Sequence, residues 1–480
     1  MDMSLNSASS LAQAIQSKEI GARELLEHYL KRVDRFDGKL NAIVVRDFER
    51  ARKRADEADH ALSKGESWGP LHGLPMTVKE SFNIEGLPTT RGIPSLKNSI
   101  AKKNALGVDR LQGAGAVIFG KTNVPLYLAE WQTFNEIYGT TCNPWDLQRT
   151  PSGSSGGAAA AIASGMSALE VGSDMAGSIR VPAHYCGIYG HRPTWDVCSQ
   201  RGHELWENVA PMDLSTIGPL ARSAADLELA FGILSGPDEL DAVGWKLDLP
   251  RPSKKKLADF RIAVVYDDAN APVENAIKNE IHRLAEFLAR QGAKVVEARP
   301  EIDSAEAART FLRLRRAAGT SGMSQERFDR AKDVVRGAKA ETNPNIEFSR
   351  ADTMYYRDWH AANEARHRMR RKWFEFFRDW DVLICPPLGT VATRHDHSER
   401  WQQKITVNGK EMYQVDQMFW VGYSGVAALP STIAPLAMSS EGLPIGVQIV
   451  APQYGDYTSI QFAALLEREY HAFVPPPGYE

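Results

Sequence analysis

Lys79 closes the apolar segment Gly73-Leu-Pro-Met-Thr-Val-Lys79, Ser154 lies in the loop Pro151-Ser-Gly-Ser-Ser-Gly-Gly157, and Ser178 ends Gly172-Ser-Asp-Met-Ala-Gly-Ser178. One amine and two hydroxyls in such settings point to acyl transfer. Serine is a poor nucleophile at neutral pH and needs a base within hydrogen-bond reach. A lysine can be that base only where its surroundings hold it neutral, because an unperturbed pKa of about 10.4 leaves about one lysine in 2,500 uncharged at pH 7. Val78 and the Pro75-Met76 stretch offer an apolar setting of that kind.

Ser178 follows Ser154 by 24 positions, filled by the small-residue stretch Ala158 to Gly165 and an apolar segment ending near Gly172. A helix followed by a strand fits this interval and returns the chain to the same sheet edge, which makes close approach of the two serines feasible. The glycines of Gly153-Ser-Ser-Gly-Gly157 permit backbone conformations that other residues resist, so the loop can lie against a reacting group. Met175-Ala-Gly-Ser178 precedes a predicted helix, and the backbone N–H groups of Met175, Ala176, Gly177 and Ser178 are candidate donors to a developing oxyanion. Losing one such donor typically costs about 2.7–4 kcal/mol in the barrier.

The elements that must position these residues are legible in the apolar spacing. Leu25, Leu26, Tyr29, Val33 and Phe36 repeat at helical period within an N-terminal helical segment, residues 1–60. Across 61–235, apolar strands such as Val117-Ile-Phe119 and Ala168-Leu-Glu-Val171 alternate with helical stretches, which predicts a sheet with covering helices. In the 236–380 stretch, Ile262-Ala-Val-Val265, the helical repeat Val273, Ile277, Ile281, Leu284 and Leu288, the stop at Gly292 and Val295-Val296 spell a βαβ unit. From about Ala305 to Asp379 the chain is charged and helical. In 381–480, Gly425-Val-Ala-Ala-Leu-Pro430 and Gly442-Leu-Pro-Ile-Gly-Val-Gln-Ile-Val450 are expected to return as strands to the central sheet, so that the 236–380 stretch is a lobe on one continuous core.

Together these segments resemble the amidase signature family of serine hydrolases. Gly86-Leu-Pro-Thr-Thr-Arg-Gly92, Gly120-Lys-Thr-Asn-Val-Pro125, Asn143-Pro-Trp-Asp146, Gly218-Pro-Leu-Ala-Arg222 and Gly442-Leu-Pro-Ile-Gly-Val-Gln448 extend the likeness over most of 20–235 and 380–465. The resemblance implies an α/β fold with a mixed, largely parallel central sheet covered by helices on both faces. It also implies a Ser-Ser-Lys triad with Lys79 as base, Ser154 as relay on a cis peptide bond and Ser178 as nucleophile, while Asp174 and Arg180 resemble positions that brace the loop. Three departures stand out. Ala176-Gly177 replaces the usual Gly-Gly, Ser152 stands where the relay loop usually has a glycine, and Trp195-Asp-Val-Cys198 follows Pro193-Thr194 in place of a glycine and a basic residue.

Bulk composition narrows the partners. The 57 Lys and Arg nearly balance 60 Asp and Glu, a formal charge of −3, so no strong field draws nucleic acid or an anionic membrane. The Arg366-His-Arg-Met-Arg-Arg-Lys372 run is flanked by Glu364, Glu375 and Asp379 and reads as a solvated helix face. Four dispersed cysteines suit reduced thiols, and the amino terminus lacks a leader pattern, which places the expectation in the cytoplasm. No cofactor or metal is expected: His395-Asp-His397 has no third ligand nearby, and the glycine-serine loop lacks the Gly-Lys-Ser/Thr of a phosphate cradle. Tyr127, Trp131, Trp195 and Trp206 are candidate walls of an apolar substrate pocket.

The expected activity is hydrolysis of the C–N bond of a small amide, aryl amide or carbamate with a hydrophobic substituent, by a monomer or homodimer, with aryl acylamidase, urethanase or esterase activity as variants. The competing readings are a non-catalytic protein that kept the scaffold and a glutamine-dependent amidotransferase subunit.

Overall fold

The computed structural model describes residues 3–203, 210–338 and 343–480. The first large helix, α1 (Ala22–Leu40), buries Leu25, Leu26, Tyr29, Val33 and Phe36 on one face, the set that its spacing predicts. A small sheet follows, made of β1 (Ile43–Arg46), β2 (Pro75–Lys79) and β3 (Val117–Thr122) in the order β1-β3-β2. Both β2 and β3 are buried along their whole length, so Lys79 leaves the sheet inside the protein.

Helix α2 (Gly156–Ala163) and strand β4 (Glu170–Asp174) fill the interval between the two serines, as expected, although the strand begins two residues later than predicted. Every residue of α2 is buried. Its alanines leave no polar face, which suits a helix enclosed by the sheets. After the short helix α3 (Arg180–Cys186), β5 (Tyr189–Arg192) and β6 (Thr216–Ala221) continue the main sheet. The predicted βαβ unit is β7 (Arg261–Val264), α4 (Asn275–Arg290) and β8 (Lys294–Glu297), with Gly292 at φ 94° after the helix. Four helices follow: α5 (Ser304–Gly319), α6 (Gln325–Gly337), α7 (Pro344–Asp352) and α8 (Tyr356–Phe376). The chain then gives β9 (Val382–Cys385), α9 (Met418–Gly425), β10 (Ser431–Met438) and β11 (Pro444–Val450).

The main sheet has eight strands in the order β8-β7-β9-β11-β10-β5-β6-β4. It is mixed and flanked by helices, but the expectation of a largely parallel sheet is corrected. Only β8/β7 and β7/β9 are parallel; the other five pairings are antiparallel. The reason lies in the connections: parallel neighbours need long crossovers, and those occur here at the end where α4 to α8 leave the sheet. The β10–β11 pair is instead joined by a tight turn at Gly442, φ 73°. A second correction concerns Gly425–Pro430, expected as a strand, which is the end of α9 and a connector; the strand begins at Ser431. Both strands of the βαβ unit join the same sheet as β4 and β11. No helix among the described residues is long and apolar enough to cross a membrane.

Candidate active site

Lys79 is the last residue of β2 and is fully buried. Its Nζ lies 2.7 Å from Ser154 Oγ, 2.9 Å from Ser155 Oγ and 3.0 Å from Ser173 Oγ. Burial brings its pKa down to about 7, with Asp174 and Glu170 pulling it up and Arg91 pushing it down. A lysine at that value exchanges its proton near neutral pH. An ammonium spends its three protons on the three hydroxyls, whereas the neutral amine has a lone pair to accept one back. Sequence reasoning missed Ser155 and Ser173, whose hydroxyls complete this shell. Glu170, four residues from Asp174 on the same strand face, is pushed up to about 8 by burial and is bonded to Thr122 Oγ1 at 2.8 Å.

Ser154 follows a cis peptide bond after Gly153, as the resemblance implies. The loop is held by contacts that leave no room for side chains: a Cβ at Gly157 would stand 2.4 Å from the Asn123 nitrogen. Ser152, at the usual glycine position, has φ 68°, and its buried Oγ has no partner among the described residues. The serine loop meets the second loop directly, since Ser155 N–H donates to Ser178 O at 3.1 Å. Ser178 is partly exposed and opens, with Ser154 and Ser173, onto a cavity of about 270 Å³. No hydrogen bond joins Ser154 Oγ to Ser178 Oγ, and both residues line the same cavity.

Asp174 and Arg180 form a fully buried pair, with Arg180 Nε 2.9 Å from Oδ2 and Nη2 3.0 Å from Oδ1. Asp174 also accepts the N–H groups of Gly177 (2.7 Å), Ile179 and Arg180 (both 3.2 Å). Burial opposes its ionisation, but Arg180, Arg192 and these donors outweigh it and hold the carboxyl well below the usual range. Arg180 Nη1 continues to Val421 O on α9 and to Gln448 Oε1 on β11, both at 2.8 Å. The loop around Ser178 is thus tied to α9 and to β11 in the middle of the sheet.

Of the four N–H groups expected to face an oxyanion, that of Gly177 is committed to Asp174. Those of Met175, Ala176 and Ser178 have no acceptor among the described residues. Gly177 has φ 92°, and a Cβ there would meet Val181 at 2.8 Å and Val421 at 2.9 Å. The Ala176 methyl does not line the cavity; its residue is buried and its carbonyl accepts Trp131 Nε1 at 2.8 Å.

Of the predicted wall aromatics, Tyr127 lines the cavity. Trp131 braces the loop from behind, and Trp195 reaches Met212 O at 3.4 Å without lining the cavity. Trp206 lies outside the described residues. The wall includes residues that sequence reasoning did not find: Arg91, Gln200 and His203 from the core, and Arg315, Arg316 and Met323 from α5 and the turn after it. Arg91 is placed by Glu80, whose carboxylate accepts the Thr90 and Arg91 N–H groups at 2.6 and 2.9 Å. Elsewhere, Cys186 is fully buried and its thiol is pushed up by burial. The His397 ring stacks on Phe134 with centroids 3.9 Å apart.

A mixed sheet thus carries a buried lysine clustered with serine hydroxyls beside a cavity. The chain belongs to the amidase signature family of hydrolases, whose profile, described as Amidase, matches residues 24–460. It is 32% identical over 476 residues to an indoleacetamide hydrolase of Bradyrhizobium diazoefficiens, covering 96% of this chain and 86% of that protein. It is 31% identical over 485 residues to a glutamyl-tRNA(Gln) amidotransferase subunit of Anaeromyxobacter sp. (strain K), covering 96% of each. A crystal structure of a bacterial aryl acylamidase of the amidase signature family superposes with a TM-score of 0.82 at 25% identity, covering 97% of this chain and 96% of that one.

Proposed function

We propose that the chain hydrolyses the C–N bond of a small amide, aryl amide or carbamate through an acyl-enzyme on Ser178, with Ser154 as relay and Lys79 as base. The observation that carries this reading is a buried lysine, depressed to about 7, 2.7 Å from a serine hydroxyl on the wall onto which Ser178 opens. Neutral Lys79 takes the Ser154 proton as Ser154 takes that of Ser178, and Ser178 Oγ bonds to the substrate carbonyl carbon. The carbonyl oxygen becomes an oxyanion beside the free N–H groups of Met175, Ala176 and Ser178. Collapse breaks the C–N bond while the relay returns a proton to the leaving nitrogen. Water then gives its proton to the same relay, attacks the acyl carbon and frees Ser178. Asp174 and Arg180 hold the loop that presents these donors.

The similarity to the amidotransferase protein, close in extent to that to the amide hydrolase, supports a second reading, a glutaminase that works within a complex. Purified chain assayed alone on anilides, aliphatic amides, carbamates, esters and glutamine separates the two. Turnover of non-glutamine amides that vanishes in Ser178→Ala supports the hydrolase. Glutaminase activity that arises only with added partner proteins replaces it with the second reading, and unchanged turnover in Ser178→Ala removes Ser178 as nucleophile.

A further inference from the structure

The wall facing Ser178 is strongly basic. Among the described residues five arginines line the cavity, Arg91, Arg315, Arg316, Arg327 and Arg330, against one acid, Asp352. Asp352 is already engaged, since its Oδ1 accepts Arg316 Nε at 2.7 Å and its Oδ2 accepts Arg316 Nη2. Arg316 is therefore neutralised within the protein. Arg315, next to it on α5, is not: its Nε and Nη1 are buried and have no hydrogen-bond partner among the described residues. Burial, followed by the charges of Arg400 and Arg316, pulls Arg315 well below the usual arginine range. Glu130 is the other carboxylate whose charge reaches Arg315, but no hydrogen bond or ion pair joins the two, and burial raises the Glu130 carboxyl. A buried guanidinium without a partner is costly, and a planar carboxylate matches its fork.

We propose that this cavity selects amides that carry a carboxylate at the end remote from the scissile bond, gripped by Arg315 with Arg327 at the mouth. The assignment rests on the amide-hydrolase reading above and narrows its substrate class. Tyr127, Leu128, Met212 and Met323 line the same cavity as Ser178 and the arginines, and their apolar surface suits a substrate with an apolar body. The same wall argues against a substrate that also bears an ammonium group. Among the described residues its one lining carboxylate is bound to Arg316, so an α-amino group would face cations there without a free acidic partner. Glutaramate, which is glutamine without that amino group, is the fitting probe.

The test uses the full chain as Ser178→Ala, which holds ligand without turnover, titrated calorimetrically with glutaramate, with its neutral diamide glutaramide, and with glutamine. Glutaramate is expected to bind about 10- to 100-fold more tightly than glutaramide, the range of a charge-assisted hydrogen-bonded pair, and more tightly than glutamine. Adding Arg315→Met should bring the glutaramate-to-glutaramide ratio to about one, and Arg315→Lys should keep part of it. Because Arg315 is unpartnered, Arg315→Met should melt no lower than its parent, which separates lost recognition from lost folding. Equal binding of acid and diamide in the parent, or equal loss of both in Arg315→Met, overturns the assignment. A neutral fluorophosphonate adduct on Ser178, read by intact mass on the wild-type chain, tests the underlying hydrolase reading independently. An adduct without any charge preference defeats the carboxylate assignment alone, whereas absence of the adduct defeats the nucleophile.

Discussion

Lys79 Nζ lies 2.7 Å from Ser154 Oγ inside a shell of three serine hydroxyls, with no carboxylate in contact. That arrangement keeps the amine buried without fixing its charge, because hydroxyls serve either protonation state.

The first expectation is a pH dependence. With Lys79 depressed to about 7, kcat/KM should climb as pH rises through about 7 and level off above it, as the neutral base becomes populated. Stability follows the same group. Between the folded value near 7 and the unfolded value near 10.4 the unfolded chain binds more protons, so stability attributable to Lys79 rises with pH across that window. Lys79→Met should therefore gain in melting temperature relative to wild type at pH 6 and lose that gain toward pH 10. A rate that is flat from pH 5 to 9 contradicts the base assignment.

Ser154→Ala and Ser155→Ala each remove one hydroxyl from Lys79, yet only Ser154 opens onto the cavity. Ser154→Ala should lower the single-turnover acylation rate at least a hundredfold, in the range of lost general acid–base catalysis. Ser155→Ala should cost about fivefold, as for a net hydrogen bond of about 1 kcal/mol, with the pH midpoint moved lower because the ammonium loses an acceptor. Equal losses in both variants contradict a distinct relay.

Gly177→Ala places a methyl against Val181 and Val421 at a positive φ. We expect about 1–3 kcal/mol of destabilisation by urea melts, together with a fall in kcat from displacement of the Ser178 loop. Ala176→Gly, whose methyl lies off the cavity, should leave kcat within about threefold. A large gain in Ala176→Gly would show that the methyl obstructs the oxyanion.

Ser152 occupies φ 68° without a partner for its hydroxyl among the described residues. Ser152→Gly relieves a left-handed conformation and should stabilise the fold by about 1 kcal/mol, measured by chemical denaturation. A loss of stability would mean that the hydroxyl has a role in the loop.

The residues of the candidate site were more legible in the sequence than the strand directions. Lys79, Ser154, Ser178, Asp174 and Arg180 lie within or beside local motifs, and the structure brings Lys79 against the Ser154 loop, which meets the Ser178 loop, with the bracing pair buried beneath it. The strand directions were not legible, because apolar alternation marks a strand without naming its neighbour; β10 and β11 read alike whether paired parallel or antiparallel. Ser155 and Ser173 were hidden by their ordinariness, as hydroxyls one residue from the motif serine or in mid-strand. Arg315 and Arg316 were hidden for a different reason. Their helix resembles the family only loosely, and nothing in a charged helix tells which of its arginines turns inward.

The lysine and serines of the site come from residues 79–178, whereas most of the arginines that line the cavity come from 315–330. The two walls are therefore encoded apart and are free to drift apart. An exchange of the α5–α6 stretch between relatives would change the charge of the cavity while leaving the lysine–serine cluster intact, a route by which one scaffold can be turned to new ligands without rebuilding its other half.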